Sequence, residues 1–561
     1  MKNPVIAIGL ESAEPALLEK WISQGHLKNL NSLCQQGTYG RLTNIEYHGT
    51  ETEWTTFLTG CLPQTTGYWR PLKFSPETYG INTIEAYDFV EYQPFYALGD
   101  EYRVAAFDLP QAPLSPQVNG LQILAWGAHD PQTQSRSYPL QLLPELISKY
   151  GKHPAFKKCY GDNWWDTKYL RFLSKALKVG ISRRAAICRD LLRREQWDLF
   201  VTIFGETHAA GHMFWHLNQP DHPLYRYGQE AGFQGNPMLE TFQAIDLAIG
   251  DILAEAPDDA YVVIFDALGM GSNNNELPSM LFLGEFLYRF NFPGKCALAP
   301  GKLGTTPPPP LTPGESKDWA TAVWELKYEL NWFRKFLRES VPSKYHSKLD
   351  KLIGKLDKLI GINQGVDLIA PYQLARRREQ AWQQPVSWYK SFWSQMKAFA
   401  LPSFSDGFIR INLQGREAKG RVALCDYDAL CAKITQELYS LKDARTGKSI
   451  VKKVIKTRNS AFDRDPKLPD ADLVVIWQDY PTDVVDSPNF GRIGPVPYHR
   501  TGGHQPNGCL IIKGPNIAPG STLPDGHAVD IAPTILELMG APIPEYFEGK
   551  SLAKQLLCAM V

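Results

Sequence analysis

The run Asp198-Leu199-Phe200-Val201-Thr202-Ile203 leads directly into Phe204-Gly205-Glu206-Thr207-His208-Ala209-Ala210-Gly211-His212-Met213-Phe214-Trp215-His216, and this join decides the fold. The first part is rich in β-branched and aromatic side chains and reads as a strand. The second sets His208 and His212 four apart, on one face of a helical turn, where two imidazoles can grip a single zinc ion. An ordinary surface helix can carry the same pair. Its place just beyond a strand matters, because open α/β sheets bind ligands at the carboxyl ends of their strands.

Working outward, the same alternation recurs. Val5-Ile6-Ala7-Ile8-Gly9-Leu10 reads as a short buried strand ending at Glu11. Helical patterns follow over residues 15–24, stopped by Gly25, and over 29–36. Residues 104–107, 121–125 and 260–265 are further strand candidates, with helices over 174–194 and 238–254. Strands alternating with helices predict an α/β fold, a central and mostly parallel sheet with helices on both faces. Pro307-Pro308-Pro309-Pro310 favours an extended linker. Beyond it, 319–339 reads as helix, and the repeated Leu-Asp-Lys-Leu-Ile-Gly at 349–354 and 356–361 reads as an amphipathic helix. Strand patterns return at 408–413, 473–477 and 510–512, and a last helix spans 533–539. The expected organisation is a discontinuous catalytic domain, 1–274 and 401–561, interrupted by a largely helical inserted cap over 275–400.

With 561 residues the chain exceeds a single core. Lys+Arg and Asp+Glu both number 59, which argues against a nucleic-acid binder. No apolar run has the length of a membrane span, so no membrane partner is expected. The amino terminus lacks the layout of a signal peptide, and nine unpaired-looking cysteines suit a reducing compartment. A cytoplasmic protein is expected. Of the 15 tryptophans, six fall between Trp319 and Trp393, in the predicted cap, which would cover the site and select an apolar or aromatic leaving group.

Several reactive residues fall at strand ends: Glu11, Thr50, the histidine pair, Asp266 and His504, the last within Arg500-Thr501-Gly502-Gly503-His504-Gln505. Arg70 and Lys73 offer positive charge to a phosphate or sulfate unless they lie on a solvated face. His216 and His222 are expected either at the surface or as outer neighbours of the site, with the surface favoured.

Four further stretches complete the pattern. They are Ile8-Gly9-Leu10-Glu11-Ser12-Ala13-Glu14-Pro15; residues 27–40, with the pattern Leu-x-Asn-Leu-x-x-Leu-x-x-x-Gly; Trp54 to Gly60 with Pro63 and Gly67; and Gly526-His527-Ala528-Val529-Asp530-Ile531-Ala532-Pro533-Thr534. In order and almost end to end, the chain resembles the type I phosphodiesterase/nucleotide pyrophosphatase branch of the alkaline phosphatase superfamily. The resemblance implies an alkaline-phosphatase-like sheet and two zinc ions flanking a nucleophilic threonine or serine. It places the nucleophile on Thr50, with Thr52 as alternate, and one metal on His208, His212 and His504, where the family has Asp-x-x-x-His in place of the first pair. Glu11 stands where the family usually has an aspartate. The family's Ser-Asp-His-Gly-Met appears as Asp266-Ala267-Leu268-Gly269-Met270, so two ligands of the second metal are replaced by Ala267 and Leu268. One zinc is therefore expected, with Glu11 or Glu206 as a base for Thr50. Arg70, Lys73 and Trp54 are candidate substrate contacts, and Asp266, Glu206 and His216 are further site candidates.

The implied chemistry is hydrolysis or transfer of a phosphoryl-type group from a small organic ester or pyrophosphate. Two other classes fit the same residues: a relative that binds a ligand or partner without turnover, and zinc Lewis-acid chemistry on a non-phosphorus substrate. Oligomeric state is not readable from the sequence.

Overall fold

The structure is a computed structural model of the 561-residue chain. It describes all residues except 1–2, 48–51, 85, 128–132, 160–162, 234, 315–317, 330–335, 338–339, 342–348, 350–351, 354–366 and 559–561. Thr50 and most of the repeated 349–361 segment thus lie outside the described residues, as does much of the helix expected over 319–339, of which Trp319–Trp324 is seen.

The chain divides into two compact units. The first comprises Met1–Pro71, Glu85–Ser272 and Arg500–Val561; the second comprises Leu72–Ile84 and Asn273–His499. The first unit is built on a ten-stranded sheet. Its parallel centre runs Tyr261–Asp266, Val5–Leu10, Leu199–Phe204, Gly99–Phe107, Val118–Leu124. Asn507–Lys513 then adds antiparallel to Tyr261–Asp266, and Thr38–Thr43 antiparallel to Asn507–Lys513. Every residue of Val5–Leu10, Leu199–Phe204 and Tyr261–Asp266 is buried. Strand alternation explains this. Ile6, Ile8, Leu10, Phe200 and Phe204 enter one core, while Val5, Ala7, Leu199, Val201 and Ile203 enter the other.

The helices expected from pattern appear with shifted ends, at Pro15–Ser23, Lys28–Gln36, Thr167–Arg194 and Pro237–Leu253. Thr167–Arg194 continues through Gly180, whose missing side chain admits the His153 ring: a Cβ there would lie 2.0 Å from His153 Nε2. Among the described residues, no helix is long and apolar enough to cross a membrane.

The second unit differs from the expected 275–400 insertion. It takes in the hairpin Leu72–Ser75/Gly80–Thr83 and extends to His499. Gly407–Ile411 and Leu473–Trp477, which read from the sequence as returning core strands, pair antiparallel with each other here. They are the inner strands of a four-stranded sheet bounded by Ala398–Leu401 and Val451–Lys456. Apolar β-branched runs look alike in either setting, and only the pairing partner tells them apart. Buried ionic knots hold this unit. Asp472 accepts from Arg416 Nη1 and Nη2 at 2.6 and 2.7 Å and from the Tyr427 hydroxyl at 2.9 Å.

Candidate metal centre

The helix Glu206–Asn218 starts one residue after the strand Leu199–Phe204, and all of it but Asn218 is buried. A helix apolar all round belongs inside a protein, and its polar members must then find partners. His208 and His212 point to a strand from the far end of the chain, Gly502–Gln505, which carries His504. His208 Nε2 lies 3.0 Å from His504 Nε2 and 3.0 Å from His212 Nε2. All three ligand nitrogens fall within 4.8 Å of one another, and they form the one group of three or more His, Cys, Asp or Glu with this spacing among the described residues.

A shared proton can satisfy one edge of such a triangle; a cation satisfies all three corners. Tetrahedral zinc with Zn–N of about 2.0–2.1 Å holds its nitrogens roughly 3.3 Å apart, close to the spacing seen. The tautomer of His212 also fits. Its Nδ1 lies 2.7 Å from the Gly502 carbonyl, which can only accept, so Nδ1 carries the proton and Nε2 presents a lone pair.

Close backbone approach makes this possible. A Cβ on Gly502 would lie 2.2 Å from the Gly211 carbonyl oxygen, so helix and strand meet through two glycines. Met270 packs against both of them from the strand Gly269–Ser272, which pairs antiparallel with Gly502–Gln505 in the register Met270↔His504. The Gly-Met end of the altered Asp266–Met270 motif therefore supports the His504 strand.

At its amino end the helix is tied to a buried charge network. Glu206 Oε1 accepts from Arg184 Nε at 3.2 Å and from His153 Nε2 at 3.1 Å, while Arg184 Nη2 donates to Asp108 Oδ2 at 2.8 Å. The Arg184 guanidinium lies 5.4–5.5 Å from the ring centroids of Phe107, Trp126 and Phe204. Burial alone would raise the Glu206 pKa, but Arg184 and His153 hold it at about 2. Glu206 thus anchors the histidine helix, and its carboxylate is engaged in this network.

The remaining candidates lie outside the histidine triangle, Glu11 being tied to its helix by the Thr207 hydroxyl, which donates to the Glu11 carbonyl. Glu11 is buried at the end of Val5–Leu10, where it accepts from the Trp54 indole N–H at 3.1 Å. Trp54 itself is buried and positions Glu11. The Thr52 hydroxyl donates to the Trp69 carbonyl at 2.7 Å. Arg70 is buried in the first unit, and Lys73 is exposed on the hairpin of the second. Asp266 is fully buried, and its Oδ1 accepts from the Leu268 amide at 3.3 Å. Burial holds its pKa well above the carboxylate range; the amides of Leu268 and Ala13 offset this only in part, and Glu14 and Glu11 add to it. Ala267 and Leu268, at the family's ligand positions, are buried and apolar.

His216 and His222 correct an expectation: both are buried. The His216 ring sits edge-on to Trp164 at 5.7 Å, and His222 Nε2 donates to the Thr501 carbonyl at 3.2 Å. Burial lowers their pKa values to about 3 and about 4, so both are neutral. Sequence reasoning missed Thr501 and the Asp108–Arg184–His153 anchor; the Gly211 and Gly502 pair was the available sign of a close approach.

Two solved structures of phosphonoacetate hydrolase from Sinorhizobium meliloti 1021 superpose over 96% of this chain and 96% of theirs. The complex with phosphonoformate gives a TM-score of 0.46 at 11% identity, and that with phosphonoacetate 0.40 at 10%. No curated protein sequence matches the chain. The family model for type I phosphodiesterase / nucleotide pyrophosphatase matches residues 5–289, from the first core strand through the histidine helix and beyond the altered Asp266–Met270 motif. With half of its length accounted for in this way, the chain belongs to the type I phosphodiesterase / nucleotide pyrophosphatase family of phosphoester hydrolases.

Proposed function

We propose that this hydrolase works with one zinc ion, held by His208, His212 and His504, on a phosphoryl-type ester or pyrophosphate of a small organic molecule. The observation that carries the proposal is the convergence of three imidazole nitrogens, two of the edges being 3.0 Å, with His212 fixed as a lone-pair donor. When bound, zinc supplies Lewis-acid stabilisation of the negative charge that builds on phosphoryl oxygens. The chain supplies the rest. Thr50 is the nucleophile by its place in the family pattern. Glu11, set at the strand end by the Trp54 N–H, is the carboxylate assigned to take the threonine proton. Three neutral ligands leave the full charge of the ion to act on an anionic substrate, in contrast to a site with a carboxylate ligand. Water or an alcohol as final acceptor distinguishes hydrolysis from transfer.

A second reading is a relative that binds without turnover. It is favoured by the buried apolar Ala267 and Leu268, where the family pattern has ligands for a second ion.

Metal analysis of the purified protein is expected to give about one zinc per chain, lost in His212→Ala. Two tightly held ions would overturn the one-metal proposal. A panel of aryl phosphodiesters, phosphomonoesters and sulfates is expected to yield turnover abolished by Thr50→Ala. Silence across the panel would favour the binding-only reading, and activity indifferent to Thr50→Ala would remove the assigned nucleophile.

A further inference from the structure

The ligand His212 is held at two points. Its ring is fixed by Nδ1–H donating to the Gly502 carbonyl at 2.7 Å. Its main-chain carbonyl receives both the Thr501 amide, at 3.0 Å, and the Thr501 hydroxyl, at 2.9 Å. The residue just before the strand thus grips the helix backbone, and the first residue of the strand grips the ring. Thr501 is completely buried, and its own carbonyl is held in turn by His222 Nε2–H at 3.2 Å. The direction of this last bond is fixed because His222 Nδ1 accepts from the Leu224 amide at 3.1 Å, leaving the proton on Nε2.

We infer that Thr501 and His222 are positioning residues of the metal centre, presetting His212 Nε2 toward the ion through a chain of hydrogen bonds from His222 to Thr501 to His212. The inference rests on the proposed three-histidine metal site. Neither residue is assigned a role by the family pattern, and neither is a ligand.

The physical case is one of freedom removed in advance. Without Thr501 and Gly502, His212 would have to lose ring rotation when the ion arrives, and the helix would have to find its distance from the His504 strand at the same moment. With them, both are settled in the folded chain, and the cost of ordering moves from binding to folding. Every member of the chain is neutral, so it sets geometry without adding charge beside the ion. Outer hydrogen bonds of this kind typically change metal affinity by about 10–100-fold when removed.

A purely space-filling role predicts a different result, and isosteric substitutions separate the two. Thr501→Val keeps shape and amide but removes the hydroxyl, while Thr501→Ser keeps the hydroxyl. His222→Leu removes the donor, while His222→Gln places an amide N–H near the position of Nε2. The metal-free proteins are titrated with Co(II), reading its visible d–d absorption, and with Zn(II) against a chromophoric chelator. Expected are wild-type-like affinity and spectrum in Thr501→Ser and His222→Gln. Thr501→Val and His222→Leu should bind both ions roughly 10–100-fold more weakly, with an altered Co(II) spectrum. Circular dichroism confirms that each variant is folded. Equal affinity and spectrum in all four would overturn the inference, as would equal losses in the conservative and disruptive member of each pair. A wild-type protein that binds neither ion would instead overturn the metal site itself.

Discussion

Asp266 shows how one residue can sit inside a family motif and do a different job. Alternation along Tyr261–Asp266 turns it away from the neighbouring ligand position, and the Leu268 amide holds it at the strand end. Its Oδ2 has no hydrogen-bond partner among the described residues, as suits a carboxyl that keeps its proton. Because its folded pKa lies well above 3.8, the fold holds a proton that the unfolded chain releases, so stability falls as pH rises above the unfolded value. Asp266→Asn removes that penalty. Its thermal midpoint is expected to match the wild type near pH ~4 and to exceed it near pH ~8. A lower midpoint at the higher pH would mean that the group works as an anion. The sequence carried this residue's misfit, since one position of register separates it from the ligand place. It did not carry the burial of His216 and His222, which depends on Trp164 and Thr501, residues far away along the chain.

Among elements, the histidine helix depends most on what surrounds it. Its i,i+4 spacing marked two histidines of the triad, and family order pointed to the third. The geometry that joins them comes from Gly211 against Gly502 and from the small ladder with Gly269–Ser272, and neither leaves a periodic trace. The anchor at its amino end is equally silent, because Asp108, His153 and Arg184 come from three separate stretches. Replacing Arg184 by methionine would leave Asp108 and Glu206 buried without their cation. Arg184→Met is expected to cost about 3–5 kcal/mol in urea unfolding, the usual scale for breaking a buried ion pair from one side. A loss below about 1 kcal/mol would show that the carboxylates find other partners or take up protons.

At the scale of the molecule, the central strands of the first unit's sheet were more legible than the limits of the second unit. Length, apolar runs and the order of motifs gave the parallel centre, whereas the boundary at 400 failed because strand pairing, not strand composition, decides which unit owns residues 408–411 and 473–477. The proposed metal ligands His208 and His504 are 296 positions apart, so an ion held by both would close a very long loop. Removing it with a chelator is expected to lower the thermal midpoint by roughly 5 °C or more, restored by added zinc. An unchanged midpoint would show that the fold is indifferent to the site. The same long connection bears on how the protein is made. Tyr261–Asp266 takes its second neighbour from Asn507–Lys513, which begins 241 positions after Asp266. At about 5–20 residues per second, a ribosome needs on the order of 10–50 s to supply that partner. Throughout that interval one edge of an apolar strand, Tyr261-Val262-Val263-Ile264-Phe265, stands open to other nascent chains. Synthesis therefore passes through a stage at which the half of the chain bearing the family pattern already exists yet cannot close its sheet, and that is the stage a chaperone would have to shelter.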